Sequence, residues 1–469
     1  MGTNPGTAPA SPGPELLVEL RPDAGRLRGQ VEDGLRRAVR AGRLAPGARL
    51  PASRVLARDL GVSRRLVVEA YAQLAAEGYL EARTGAGTYV RGDATPPVPP
   101  PAERPIAPER AYDFFPGAPD LSGFPRAAWL RCLRAALAAA PDRALSYGDP
   151  RGQPELRAAL AGYLRRARGV EADPDRIVVT AGAVQGLALL ATALGPARIA
   201  VEDPYLPEHR LVLAHAGAEV VPVPVDAEGL RTADLRAADA AAALVTPAHQ
   251  FPTGAVLSPR RRAELAEWAG AGGLVIEDDY DAEYRYDRTP LGAVQGLAPD
   301  RVAYLGSASK ILAPALRIGW LVLPAWLVEP VAEAKRFADS SSPALDQLAL
   351  ARFIAEGRLD RHLRAARRAY RARRAALAAA IAAHLPGARM EGAAAGLHAV
   401  VRLPQAVPVR PLLRAAARES VGAYPLGWAY AEPRPDTDAV IAGYAGMAEA
   451  SIPEGVRRLA AAVRAAADG

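Results

Sequence analysis

Between Gly92 and Arg110 the chain reads GDATPPVPPPAERPIAPER, seven prolines in nineteen residues. Proline locks φ and removes a backbone donor, so such a stretch suits neither a helix interior nor the middle of a sheet. It reads as an extended, polyproline II-like linker. The chain is therefore expected to fold as separate units: a small one over 16–91 and a large one over 111–469. A length of 469 residues also asks for two or three units.

The bulk properties narrow the setting. No run of 18 or more apolar residues occurs, so no membrane span is expected. The tail from Met1 to Pro14 lacks a basic n-region followed by an apolar one and does not read as a signal peptide. A single cysteine, Cys132, excludes an intrachain disulfide and fits a reducing cytoplasm. On an Ala/Leu-rich helix it reads as a small core residue.

Charge is unevenly placed. From Met1 to Arg91 there are 14 arginines against 9 acidic residues, +5 of a total of +7. A basic small unit ahead of a near-neutral large one points to a polyanionic partner. The small unit shows three helical patterns and a hairpin. Leu27 to Ala41 places Val31, Leu35 and Val39 on one face, and Gly42 stops it. Pro51-Ala52-Ser53 opens a short helix with Ser53 as its cap. After the turn at Gly61-Val62-Ser63, Ser63 caps a third helix with a buried stripe of Leu66, Ala70, Tyr71 and Leu74. Tyr79–Arg83 and Thr88–Arg91 form strands around a Gly-rich tip.

This is a helix-turn-helix followed by a wing. Arg64 and Arg65 open the recognition helix, the end that enters the major groove. Arg49 and Arg54 are placed to reach phosphates, and Gly85 at the wing tip lets the backbone approach the minor groove. Double-stranded DNA is the expected partner. The stretches Gly42–Pro51, Ser53-Arg54 and Ala76–Leu80 resemble the GntR family of winged-helix repressors over essentially all of residues 16–91.

Lysine usage singles out another position. Of 58 basic residues only Lys310 and Lys335 are lysines. Arginine replaces lysine for charge but cannot form an imine with an aldehyde. Lys310 sits in Ser307-Ala308-Ser309-Lys310, after an apolar strand and seven residues before Arg317. Apolar runs at Ile177–Thr180, Arg198–Val201, Ala243–Thr246, Gly273–Ile276 and Val302–Leu305 suit a mostly parallel α/β sheet buried on both faces. Polar residues follow their carboxyl ends, where such folds bind ligands. Ala/Arg-rich stretches at Arg361–Ala383 and Gly455–Ala467 read as amphipathic helices.

Pyridoxal phosphate (PLP) needs an amine for its aldehyde, a carboxylate for its pyridine nitrogen and donors for its phosphate. Lys310 is the amine and Asp278 the carboxylate, with Tyr280 placed for the 3'-oxygen. Ser307, Ser309 and Arg317 suit the phosphate, as do the backbone N–H groups of Gly182, Ala183 and Val184 at a helix start. No metal site is expected. Taken singly, each residue has an ordinary structural reading; the ordered set does not.

That set, from Tyr112 onward, resembles fold-type I aminotransferases. Thr246–Gly254 with Glu277-Asp278-Asp279-Tyr280-Asp281 is specifically similar to the MocR subfamily, which joins a GntR-type winged helix to an aminotransferase-like domain. The resemblance implies that Lys310 carries the cofactor, that Tyr147 reaches the phosphate of a neighbouring subunit, and that the protein is a homodimer.

Three departures stand out. Tyr205, in Asp203-Pro204-Tyr205-Leu206, stands one residue before the family's stacking tyrosine. Phe251 replaces an asparagine before Pro-Thr-Gly. In Val440-Ile441-Ala442-Gly443-Tyr444, Ile441 stands where aminotransferases place the arginine that holds a substrate α-carboxylate; Arg402 and Arg434 are the alternatives for that role. The resulting expectation is a cytoplasmic regulator that responds to PLP or to an amine or amino acid through imine exchange at Lys310. A working aminotransferase and a sensor of PLP alone are the rival readings.

Overall fold

The computed structural model describes residues 20–21, 25–92, 110–287 and 291–468. The chain divides into two compact units, Met1–Ala107 and Pro108–Gly469. The expected N-terminal tail and nearly all of the proline-rich linker lie outside the described residues.

In the small unit, α1 (Leu27–Arg40), α2 (Ser53–Asp59) and α3 (Arg64–Ala76) precede a hairpin of β1 (Leu80–Arg83) and β2 (Gly87–Val90). Val31, Leu35, Ala38 and Val39 bury one stripe of α1 against Val67, Ala70, Tyr71 and Leu74 of α3. The expected stripe is corrected at one position: Val67 is buried, while Leu66 is only partly covered. Both are apolar neighbours, and sequence alone does not fix the helix phase between them. Ser53 is the first residue of α2 rather than its cap; Ala52 holds that place with no side-chain bond. Ser63 does cap α3, its hydroxyl accepting from Leu66 N at 3.2 Å. A cap of this kind is worth about 1 kcal/mol.

The large unit opens with β3 (Tyr112–Asp113), α4 (Arg126–Ala139) and α5 (Pro154–Arg168). There follow β4 (Ile177–Thr180), α6 (Ala183–Leu194), β5 (Arg198–Asp203), α7 (Pro207–His215), β6 (Glu219–Asp226), β7 (Gly229–Leu230), α8 (Thr232–Ala237) and β8 (Ala242–Val245). Next are α9 (Pro259–Gly270), β9 (Leu274–Asp279), β10 (Val302–Ser307), α10 (Ala308–Ile311) and β11 (Gly319–Val322). The sheet order is β4-β11-β10-β9-β8-β5-β6-β7, with β11 and β7 antiparallel to their neighbours and the other pairs parallel. Every residue of β4, β8, β9, β10 and β11 is buried. This burial explains their continuous apolar runs. Cys132 is buried in the core, as its helix suggested.

After α11 (Ala325–Asp339), α12 (Ala344–Ala355) and the 27-residue α13 (Arg358–His384) comes a smaller antiparallel sheet. It pairs β12 (Arg389–Glu391), β13 (His398–Pro408) and β15 (Asp436–Gly443) in that order. Helices α14 (Val409–Arg418) and α15 (Ile452–Ala467) accompany it, and β14 (Val421–Gly422) pairs with β3. The expected amphipathic helices correspond to α13 and α15.

Strand β9 runs further than its apolar run suggested, through Glu277, Asp278 and Asp279. Side chains alternate across a strand, so Asp278 faces away from Glu277 and Asp279. Asp279 meets Arg168 Nε at 2.7 Å and the Tyr304 hydroxyl at 2.8 Å, whereas Asp278 faces α7. In register, Asp278 lies beside Leu305 of β10, whose strand leads directly to Lys310.

Candidate functional sites

One end of the Lys310 pocket gathers groups suited to an anion. Ser307 ends β10 and caps α10; its Oγ accepts from Ser309 N at 3.1 Å and donates to Ser309 Oγ at 2.9 Å. Arg317 lies against Gly182, where a Cβ would stand 3.2 Å from its guanidinium. Gly182 has φ +100°, so glycine answers two demands there: a backbone other residues avoid, and no side chain in the way of Arg317. Gly182 starts α6 without a side-chain cap, leaving the first-turn N–H groups of Ala183 and Val184 without helical acceptors. Arg317 has no ion-pair partner among the described residues. Backbone donors, hydroxyls and a guanidinium thus converge, a donor set that fits a phosphate.

Lys310 follows on α10. Burial pushes its amine down from the usual lysine range, while Asp281 and Asp278 pull it back up. A Cβ on Gly117 would stand 3.3 Å from Nζ, so glycine leaves the amine its room. A desolvated amine spends more of its time neutral and nucleophilic. Asp278 is 5% exposed. Burial raises its carboxyl from 3.8 to about 6, against the lowering effect of the Tyr205 hydroxyl. That hydroxyl donates to Asp278 Oδ2 at 2.6 Å and lies 2.9 Å from His209 Nδ1. With the phenol proton on Asp278, the imidazole must supply the proton of the second bond. Burial holds His209 neutral, at about 4.

The opposite wall combines the segments that follow β8 and β9 with one face of the small sheet. His249 Nδ1 lies 3.0 Å from Asp281 Oδ2 and 3.2 Å from the Tyr280 hydroxyl. His398, on β13, donates from Nε2 to the Pro252 carbonyl at 3.1 Å. Its Nδ1 is buried without a partner, and burial lowers the ring to about 3. Phe251 packs edge-on against both His398 and Tyr280. Val400 pairs with Ile441 and His398 with Gly443, so these residues share a face of the small sheet. Ile441 is wholly buried and packs with Val400, Leu426, Ala429 and Ala439. Neither alternative arginine replaces it. Arg402 is held by Glu391 at 2.8 Å and Asp438 at 2.5 Å; Arg434 stacks 3.6 Å from the centre of the Tyr430 ring.

The structure thus brings Lys310, Asp278, Tyr280, Tyr205, Ser307, Ser309, Arg317 and the Gly182–Val184 turn to the ends of neighbouring strands. Tyr205 bonds Asp278 edgewise through its hydroxyl. Tyr147 stands apart: it is 93% exposed and lines a cleft of about 810 Å³ with Ser341 and Ser342. The other lysine has a structural explanation. Lys335 is 0% exposed, with both Asp339 oxygens at 2.8 Å and Ser342 Oγ at 3.0 Å. Reading the sequence missed His209, His249 and His398, three of only six histidines; that scarcity is the same signal that lysine scarcity provided.

In the small unit, Arg54, Ser63, Arg64, Arg65 and Gly85 are all exposed. Arg65 is tied to Glu69 at 2.8 Å, while Arg64 makes no ion pair among the described residues. Arg49 joins the wing: its backbone bridges to Tyr89 and its guanidinium lies against Gly87. Gly85 turns the tip at φ +75°.

Comparison with known proteins gives this geometry a family. Residues 27–90 match the model for bacterial regulatory proteins of the gntR family, and residues 120–442 match aminotransferase class I and II. The chain is 38% identical over 394 residues to the HTH-type pyridoxine biosynthesis transcriptional regulator PdxR of Corynebacterium glutamicum, spanning 82% of this chain and 86% of that one. It is 34% identical over 461 residues to the probable rhizopine catabolism regulatory protein MocR of Rhizobium meliloti, covering 92% and 93%. Among solved structures, kynurenine aminotransferase from Pyrococcus horikoshii aligns with a TM-score of 0.70 at 27% identity, over 76% of this chain and 91% of the other. Fold and pocket define an aminotransferase-like unit of fold type I behind a helix-turn-helix. The chain belongs to the MocR subfamily of GntR-type transcription regulators.

Proposed function

We propose that the chain is a cytoplasmic, homodimeric, PLP-dependent transcription regulator that binds operator DNA through residues 16–91 and senses its ligand at Lys310. The observation that carries this reading is the pairing of an anion-ready pocket end with an opposite wall where Ile441 packs among Val400, Leu426, Ala429 and Ala439.

The residues fit PLP. Arg317, Ser307, Ser309 and the Ala183 and Val184 N–H groups would hold the phosphate, and Asp278 would supply the carboxylate for the pyridine nitrogen. Tyr147 contributes from the partner subunit of the dimer. When bound, PLP supplies an aldehyde that condenses reversibly with amines. Lys310 offers a desolvated amine to it. Asp278, whose carboxyl burial raises to about 6, would be held more firmly ionised beside a pyridinium. Tyr205 and His209 hold the Asp278 carboxyl in place.

A substrate α-carboxylate finds less support. His398 is neutral, Ile441 donates nothing, and burying an unpaired carboxylate there is costly. The ligand is therefore PLP itself, or an amine that exchanges with Lys310 without a carboxylate clamp. The relative named for pyridoxine biosynthesis favours the first. Ligand state would bias large-unit conformations of different DNA affinity.

The test is a DNA-binding titration of the full chain with and without PLP, repeated for Lys310→Ala and Arg64→Ala. A PLP-dependent shift that Lys310→Ala abolishes supports the proposal, with Arg64→Ala weakening binding in both states. Identical binding with and without PLP overturns the sensing role.

A further inference from the structure

Helix α13 carries a feature that neither cofactor binding nor the helix-turn-helix uses. From Arg361 to Arg374 it holds seven arginines and no acidic residue, a formal +7 equal to the net charge of the whole chain. At about 100° per residue, Arg361, Arg364, Arg367, Arg368, Arg371 and Arg374 fall within an arc of about 140°. Arg373 points the other way and meets Asp120 at 2.6 Å.

None of the six makes an ion pair with a carboxylate among the described residues. The bonds they make go to neutral carbonyls: Arg367 to Glu283 O, Arg371 to Tyr286 O and Arg361 to Glu356 O. The nearby Asp360 is taken by Arg166 at 3.2 Å. Elsewhere on this surface arginines commonly sit beside acids, as in Arg260–Glu264 and Arg457–Glu454. Arg361, Arg364, Arg368 and Arg371 are exposed, and a cleft of about 370 Å³ between α5 and α13 adds a concave margin lined by Arg166, Arg364 and Arg367. A row of uncompensated like charges repels itself and is relieved by a polyanion.

We propose that the exposed arginine face of α13 is a second DNA-contacting surface, gripping the phosphate backbone of the duplex that the helix-turn-helix reads. The inference rests on the DNA-binding reading above. The stripe spans about 20 Å at 1.5 Å per residue, while one DNA strand carries a charge every 3.4 Å or so of axis, so it faces several phosphates. Guanidinium groups suit phosphate oxygens. Such a grip carries no sequence information; it adds affinity and lengthens the footprint, and a second anchor on the same chain acts at high effective concentration.

The test uses the full chain and a mixed-sequence duplex of about 60 base pairs, with affinity followed against salt. Arg361→Gln, Arg364→Gln and Arg368→Gln are combined, since these side chains anchor nothing but the Glu356 carbonyl. Each phosphate left without its guanidinium lowers the slope of log K against log salt by about 0.9, so a drop of about 2–3 is expected, with affinity about tenfold or more weaker near 0.1 M salt. The matching Arg→Lys triple should regain most of both, and thermal unfolding should not distinguish the three proteins. An unchanged slope in the glutamine triple overturns the proposal. So does loss of binding to phosphatidylserine vesicles with the DNA slope intact, which would assign the stripe to a membrane surface. If the wild-type chain binds no duplex at all, the DNA-binding reading fails first, an outcome distinct from an unchanged slope.

Discussion

The two ends of the Lys310 pocket are built to different rules. At one end gather the hydroxyls of Ser307 and Ser309, the guanidinium of Arg317 and the uncapped helix start at Gly182. At the other, Val400 and Ile441 present hydrocarbon, and His398 and Phe251 close the wall with uncharged rings. An aminotransferase needs both ends charged, one for its cofactor and one for its substrate. On the proposed reading this chain keeps the first and has dropped the second. The lesson is that a pocket can retain a cofactor as a ligand after losing the geometry that makes it a catalyst, because misplacing the substrate alone costs orders of magnitude.

The contrast can be broken at its hinge. Lys310→Ala should abolish all borohydride-fixable PLP, measured by mass after reduction. A tag on Lys335 instead would contradict the assignment, and its burial against Asp339 argues against one. Charging the apolar end is the next largest change. Ile441→Arg buries an unpaired cation and should cost about 3–5 kcal/mol in denaturant unfolding. Added α-amino acid should restore part of that loss and gain measurable affinity. A variant as stable as the parent would mean the wall is wetter than its packing indicates.

Weakening the polar end tests the other half. Arg317→Ala should lower PLP affinity about 10–100-fold by removing a charge-assisted donor, read by absorbance titration. The smallest effect concerns protons. Because burial raises Asp278 to about 6, cofactor-free protein gains stability from its protonated form. That gain is complete below about pH 4 and is lost as pH rises through about 6. Asp278→Asn lacks the group, so its stability relative to the parent should improve by about 1–3 kcal/mol between pH ~4 and ~7.5. A constant difference across that range would place Asp278 in a solvated setting.

Much of this architecture was legible in the sequence, for identifiable reasons. The buried strands announced themselves because both faces are covered, and Lys310 because lysine is so rare here. Asp278 was found through its place after an apolar run, although that run continues as strand through it. His209, His249 and His398 were not found. They lie on α7, in a loop and on β13, and only folding places His249 and His398 within 5.3 Å, ring centre to ring centre. No local pattern marks a histidine whose partner is 149 positions away. The errors at Ser53 and Leu66 are single-residue shifts: Val67 takes the buried place beside its apolar neighbour Leu66, and α2 begins at Ser53 itself, with Ala52 ahead of it and no side-chain cap.

Turnover bears most directly on the central contrast. The reconstituted protein is mixed with a panel of α-amino acids and 2-oxo acids, and product is counted per site over time. No sustained conversion is expected with any donor, while PLP itself alters DNA binding. Rapid multiple turnover with any α-amino acid would contradict it and show that the wall around Ile441 holds a substrate after all.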